Sequence, residues 1–135
     1  MGCPIVLCID DRPEPLEIRK AVLEARGFRV ETVTSGFAAM KMLESNTVDV
    51  VLLEYKEEGM DAEAVAYQIQ QRFSKLPIIL LSAYFEMPER ILWLVDGYVM
   101  KSELPDGLVG VIERVMRCSN EAQRFALGAD KQVAA

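Results

Sequence analysis

The most constraining feature of this chain is the run Val48-Asp49-Val50-Val51-Leu52-Leu53-Glu54, which passes into the polar stretch Tyr55 to Asp61 containing Gly59. Its apolar, β-branched core has the pattern of a strand buried on both faces, the kind found at the centre of parallel sheets. The run then delivers a carboxylate, Glu54, at its C-terminal end. In open parallel α/β sheets the chemistry gathers where the C-terminal ends of the strands emerge. The other apolar runs are therefore read for what they deliver to the same edge.

Pro4 to Ile9 reads as a first, central strand, ending in Asp10-Asp11-Arg12-Pro13. A helix is expected over 15–26, with Leu16, Val22 and Leu23 inward and Gly27 as its stop. Phe28 to Thr34 alternates Phe28, Val30, Thr32 and Thr34 against Arg29, Glu31 and Val33, which suggests a strand nearer a sheet edge. Ser35-Gly36 is a turn and N-cap candidate, and Phe37, Met40 and Leu43 form the next helix's stripe. Asp61 is placed to cap a helix carrying Val65, Ile69 and Phe73, with Ala62 and Ala66 beside them. Pro77 to Ser82 is a fourth buried strand, 88–95 a short helix, and Gly97 to Lys101 a fifth strand. Pro105 suits the first turn of a last helix with Leu108, Ile112 and Val115 or Met116 inward.

Five alternations of strand and helix predict a parallel sheet with right-handed crossovers and helices on both faces. No repeat or linker divides the 135 residues, and a chain of this length can bury a real core. One domain over 1–120 is expected, with 121–135 a helical extension or loose tail. No apolar run approaches the roughly 20 residues of a membrane span. The N-terminus lacks a basic leader region, so a cytoplasmic protein without a membrane anchor is expected. A net charge of −6 argues against direct contact with nucleic acid. Cys3, Cys8 and Cys118 lack metal-ligand spacing and read as free or buried thiols.

The sequence contains no histidine. This excludes a Ser-His-Asp or Cys-His nucleophilic site, a histidine-based zinc site and a phosphohistidine donor. If phosphate is involved, this chain can only receive it. Four of the five expected strands end on a polar group: Asp10-Asp11, Glu54, Ser82 and Lys101. Carboxylates converging from adjacent strands suit a hard cation such as Mg²⁺. A hydroxyl and an ammonium group opposite them suit a phosphoryl group.

These segments, in this order and spacing, resemble a response-regulator receiver domain of bacterial two-component signalling. The likeness runs from about residue 3 to residue 118. It rests on Ile5–Asp11 with its acidic pair, Asp49–Asp61 with its Gly-Met-Asp ending, Pro77–Tyr84 and Gly97–Lys101. The resemblance implies a flavodoxin-like (βα)₅ fold with a five-stranded parallel sheet of order 2-1-3-4-5. It also implies Mg²⁺ held by Asp10, Asp11 and the backbone carbonyl of Lys56, and a phospho-acceptor at position 54. Ser82 and Lys101 would bind phosphoryl oxygens, and Tyr98 would be the aromatic switch. The implied partner is a protein, either a sensor kinase or a downstream signalling protein.

The chain departs from that pattern. Position 54 holds glutamate, whose carboxylate lies one methylene further out than an aspartate's. In-line phosphoryl transfer is sensitive to displacements of about 1 Å, so phosphorylation is not expected. Glu54 is instead expected to pair with Lys101. It offers less charge and fewer acceptor oxygens than a phosphoryl aspartate, so any mimicry is partial. Lys56 sits two residues past the acceptor position, beside the expected metal site. Its ammonium group could pair with Asp10 or Asp11 and make Mg²⁺ less necessary, its binding weakened or absent. A lysine in a solvated loop is the plainer alternative. Lys101 is followed by Ser102 instead of the family's usual proline.

Ser82 and Lys101 are 19 positions apart. That is about three fewer than is usual in the family, nearly one turn of about 3.6 residues. Trp93 and Leu94 fall in the shortened segment, with Phe85 and Met87 before it. Core packing is the first expectation for Trp93 and a partner-binding patch the second.

The reading is an atypical pseudo-receiver module, not an enzyme, that acts by phosphorylation-independent protein contact. The runner-up is an ordinary phosphorelay receiver that binds Mg²⁺ and accepts a phosphoryl group. A small ligand-binding or enzymatic α/β domain is third, and it lacks both a glycine-rich phosphate loop and a nucleophile–base pair. No output domain is expected beyond the receiver segment, so output is expected to belong to a partner. A homodimer is left open.

Overall fold

The structure, a computed structural model, describes residues 3–84 and 86–117. Phe85, Cys118 and the extension expected over 121–135 lie outside the described residues.

Five strands alternate with helices: β1 (Ile5–Ile9), α1 (Pro13–Ala25), β2 (Arg29–Val33), α2 (Gly36–Ser45), β3 (Val50–Tyr55), α3 (Ala62–Arg72), β4 (Ile78–Ser82), α4 (Glu89–Leu92) and β5 (Gly97–Met100). A 3₁₀ turn follows at Lys101–Glu103, and a last helix, α5, occupies 106–117. The sheet is wholly parallel with order β2-β1-β3-β4-β5. This is the topology that the strand-helix rhythm and the resemblance implied.

Side chains alternate across the sheet and sort the helices into two layers. Val6, Cys8, Val50, Leu52, Ile79, Leu81 and Val99 pack under α1 and α5, against Leu16, Leu23, Leu108 and Ile112. Leu7, Ile9, Val51, Leu53, Ile78 and Leu80 face α2, α3 and α4, against Met40, Leu43, Val65, Ile69 and Ile91. The alternation along β3 therefore turns Glu54, in phase with Val50 and Leu52, toward α1.

Local signals set the helix ends. Ser35 Oγ accepts from the Ala38 N–H at 3.0 Å, and Asp61 Oδ1 from the Ala64 N–H at 3.1 Å, so both expected N-caps form. α1 starts at Pro13, two residues before the expected 15, because a first-turn proline needs no N–H partner. Gly27 ends the region of α1 with φ +93°, a left-handed conformation that favours glycine.

The alternation read along β2 holds, with Phe28 and Val30 on one face and Val33 on the other beside Leu7 and Ile9, and β2 lies at the sheet edge. Three sequence assignments, those of Val22, Phe37 and Trp93, need correction. Val22 is only half-buried, since the inward positions of α1 are Leu16, Arg19 and Leu23. Phe37 is 75% exposed in the first turn of α2, where Lys41 lies over its ring at 5.3 Å. Trp93 is 77% exposed. α4 has only four residues and Ile91 takes its inward position. Two residues further on, at about 100° per residue, Trp93 points the other way.

Candidate functional site at the C-terminal edge of the sheet

The register aligns Ile9 with Leu53, Tyr55 with Ser82, and Ser82 with Met100. Asp10, Glu54, Ser82 and Lys101 therefore emerge together. Asp10, Glu54 and Ser82 are buried, Glu54 to 2% exposure. Buried carboxylates are costly unless paired, and three cations pair these.

Lys101 Nζ forms an ion pair with Glu54 Oε1, as the sequence led one to expect, though outside hydrogen-bond geometry. On the other side Arg19 Nη2 reaches Glu54 Oε2 at 3.4 Å. Arg19 Nη1 lies 3.8 Å from Asp10 Oδ2. Lys56 Nζ donates to Asp10 Oδ1 and to Asp11 Oδ1, each at 2.6 Å. The backbone completes the set: Arg12 N–H donates to Asp10 Oδ1 at 3.0 Å and Met60 N–H to Asp11 Oδ2 at 3.1 Å.

The electrostatics follow from this geometry. Burial pushes the Glu54 carboxyl above its ordinary value, with Lys101 and Arg19 pulling it back and Asp10 adding to the rise. The Lys56 hydrogen bond, then the Met60 N–H, hold Asp11 below its ordinary value. Desolvation works against the charge on Lys56, but its bonds to Asp10 and Asp11 outweigh it and raise the pKa. Cys8, buried beneath the site, is pushed up to about 12 by desolvation and is no nucleophile at neutral pH.

Ser82 and Tyr98 sit in a separate hydrogen-bonded group. Tyr84 N–H donates to Ser82 Oγ at 2.9 Å, and Tyr98 Oη donates to the Tyr84 carbonyl at 2.6 Å. The rings of Tyr55 and Tyr84 meet edge to face at 6.0 Å. Among the described residues, no hydrogen bond joins Ser82 to Glu54 or Lys101.

Arg19 escaped the sequence reading. It is 8% exposed and lies between Leu16 and Leu23 on the inward stripe of α1. The signal was present in the i, i+3, i+7 spacing, which places a charge where only a paired one is tolerated.

The acid pair already holds a cationic side chain. The Lys56 ammonium group lies between the two oxygens, Asp10 Oδ1 and Asp11 Oδ1, that would share a cation.

A parallel 2-1-3-4-5 sheet with acids, a hydroxyl and a lysine at one edge is the arrangement that the receiver resemblance implies. The response regulator receiver domain family matches residues 6–113, and the chain belongs to that family. It is therefore a signalling module of the two-component type. It is 34% identical over 99 residues to the sensor protein GacS of Pseudomonas syringae pv. syringae, covering 70% of this chain and 11% of that protein. With the probable transcriptional regulator ycf27 of Guillardia theta it shares 32% over 120 residues, covering 87% and 47%. The chain thus spans less than half the length of either curated relative.

Among solved structures it resembles the response regulator TrrA of Thermotoga maritima in complex with Mg²⁺-BeF. The TM-score is 0.76 at 30% identity, covering 83% of this chain and 98% of that one. A complex of histidine kinase ThkA with TrrA matches with TM-score 0.74 at 29% identity, covering 83% and 97%. No helix among the described residues is long and apolar enough to cross a membrane.

Proposed function

We propose that this receiver works without phosphorylation, as a pseudo-receiver whose output is contact with a protein partner. The observation that carries the reading is the state of the acceptor position. Glu54 replaces the aspartate of the family pattern, and each of its oxygens faces a basic side chain, Lys101 on Oε1 and Arg19 on Oε2. A nucleophilic carboxylate needs a free oxygen in line with the incoming phosphorus. Here attack would require breaking an ion pair in a buried site, from a carboxylate set one methylene too far out.

The roles carried over from the family then change. Lys101 neutralises Glu54 instead of a phosphoryl oxygen. Ser82 and Tyr98 hold the loop after β4 through Tyr84. Exposed Trp93 and Leu92 on the one-turn α4 offer apolar area for a protein contact. A structure relative solved with its histidine kinase supports a protein partner of that class.

The test is the intact mass of the wild type and of Glu54→Asp after incubation with Mg²⁺ and a small-molecule phosphodonor. The wild type is expected to gain nothing. Gain of one phosphoryl group by the wild type would restore the ordinary phosphorelay receiver. Gain by Glu54→Asp alone would show that only the acceptor had been altered.

A further inference from the structure

We infer that Arg19 and Lys56 together replace the divalent cation of a receiver site, supplying its two positive charges from the chain itself, so that the site assembles independently of metal. The reading above concerns the acceptor. This inference concerns the cation, and the two fail separately.

Charge comes first. Asp10, Asp11 and Glu54 contribute three negative charges, and a single lysine, Lys101, would leave two of them uncompensated. Lys56 and Arg19 bring that remainder to zero. Their placement matches the deficit. Lys56 lies between the two members of the acid pair, and Arg19 lies between the acid pair and the acceptor position.

The oxygens are the second argument. Of the six carboxylate oxygens, five face a side-chain cation and the sixth, Asp11 Oδ2, accepts the Met60 N–H. That last bond depends on Gly59. It has φ +96°, and a Cβ at that position would overlap Asp11 Oδ2. The loop is thus shaped to draw Asp11 toward Lys56 and Met60. A metal would have to displace the Lys56 ammonium from two charge-assisted bonds of 2.6 Å while shedding tightly held waters.

Arg19 supplies the third. A guanidinium buried between Leu16 and Leu23 is costly to desolvate unless acids offset it. Among the described residues its ion-pair partners are Asp10 and Glu54. Its position on α1 is otherwise apolar.

The test is Mn²⁺ binding to the full chain, read from the EPR signal of the free ion, for wild type, Lys56→Ala, Arg19→Met, the Lys56→Ala/Arg19→Met double variant, and Asp10→Asn both alone and with Lys56→Ala. Wild type is expected to leave the signal unchanged and to show the same thermal midpoint in EDTA and in excess Mg²⁺. Lys56→Ala should bind Mn²⁺, the double variant should bind about tenfold tighter again, and Asp10→Asn should abolish the gain. Mn²⁺ binding by the wild type that Asp10→Asn removes would overturn the inference, as would failure of Lys56→Ala to bind. If Arg19→Met does not fold by circular dichroism, Lys56→Ala decides alone, because Lys56 is partly exposed at the rim. Mn²⁺ binding by a wild type that still refuses a phosphoryl group would sink the inference and leave the reading of Glu54 standing. Phosphoryl uptake by a wild type that leaves the Mn²⁺ signal unchanged would do the reverse.

Discussion

Replacing Arg19 with methionine should show how far the site's ion pairs hold the domain together. Methionine fits the apolar surroundings of Leu16 and Leu23, so little packing is lost. What is lost is the counter-charge to two buried acids. Breaking a buried pair by removing one partner costs about 3–5 kcal/mol. Here the figure belongs lower, at roughly 2–3 kcal/mol, because Glu54 keeps Lys101, Asp10 keeps Lys56, and the Arg19 contacts are long at 3.4 and 3.8 Å. Against a total of about 5–15 kcal/mol for a domain, that is a large fraction.

Urea denaturation should show a lower midpoint with an unchanged slope. A cycle with Glu54→Gln isolates the pair. The double variant should be more stable than the sum of the two single losses predicts, by about 1–2 kcal/mol. Arg19→Met within about 0.5 kcal/mol of wild type, or strict additivity with Glu54→Gln, would refute the reasoning.

Two further outcomes follow from the same geometry. The Asp11 carboxyl is held below its ordinary value of 3.8, so its contribution to stability is present above that value and is lost as pH falls through the lower folded-state value. The stability gap between wild type and Asp11→Asn, measured by denaturation, should be full near neutrality and close in acid; a gap constant down to about pH 2 would contradict the Lys56–Asp11 bond. Gly59→Ala should cost about 1–2 kcal/mol for the left-handed backbone and more for the overlap with Asp11, whereas Gly27→Ala, with open space around its Cβ, should show only the backbone cost. Equal losses at the two glycines in denaturation would remove the steric argument.

Much of the fold was legible because its strands are apolar runs with polar ends, a pattern that depends on local order alone. The cap residues Ser35 and Asp61 were legible for the same reason. The aromatics were not. Phe37 and Trp93 look like core residues, but helical phase and the one-turn length of α4 turn Trp93 outward, and the first turn of α2 leaves Phe37 exposed. At the site, Glu54 and Lys101 were foreseeable as a pair because both end strands, and Lys56 because it lies two residues beyond Glu54. Arg19 is 35 residues from Glu54 in sequence and meets it only because α1, the crossover from β1 to β2, packs on the sheet face toward which Glu54 points. Its helical phase marked it as inward, but only the folded sheet shows which acids await it.

The clamp on Glu54 also bears on timing. An acyl phosphate is a mark with an expiry, since hydrolysis returns the receiver to its resting form. Ion pairs between residues of one chain contain no bond for water to cleave. On the proposed reading this domain carries no clock of its own. Its message would last as long as the folded molecule does, and ending it would fall to whatever governs the protein's abundance or releases its partner.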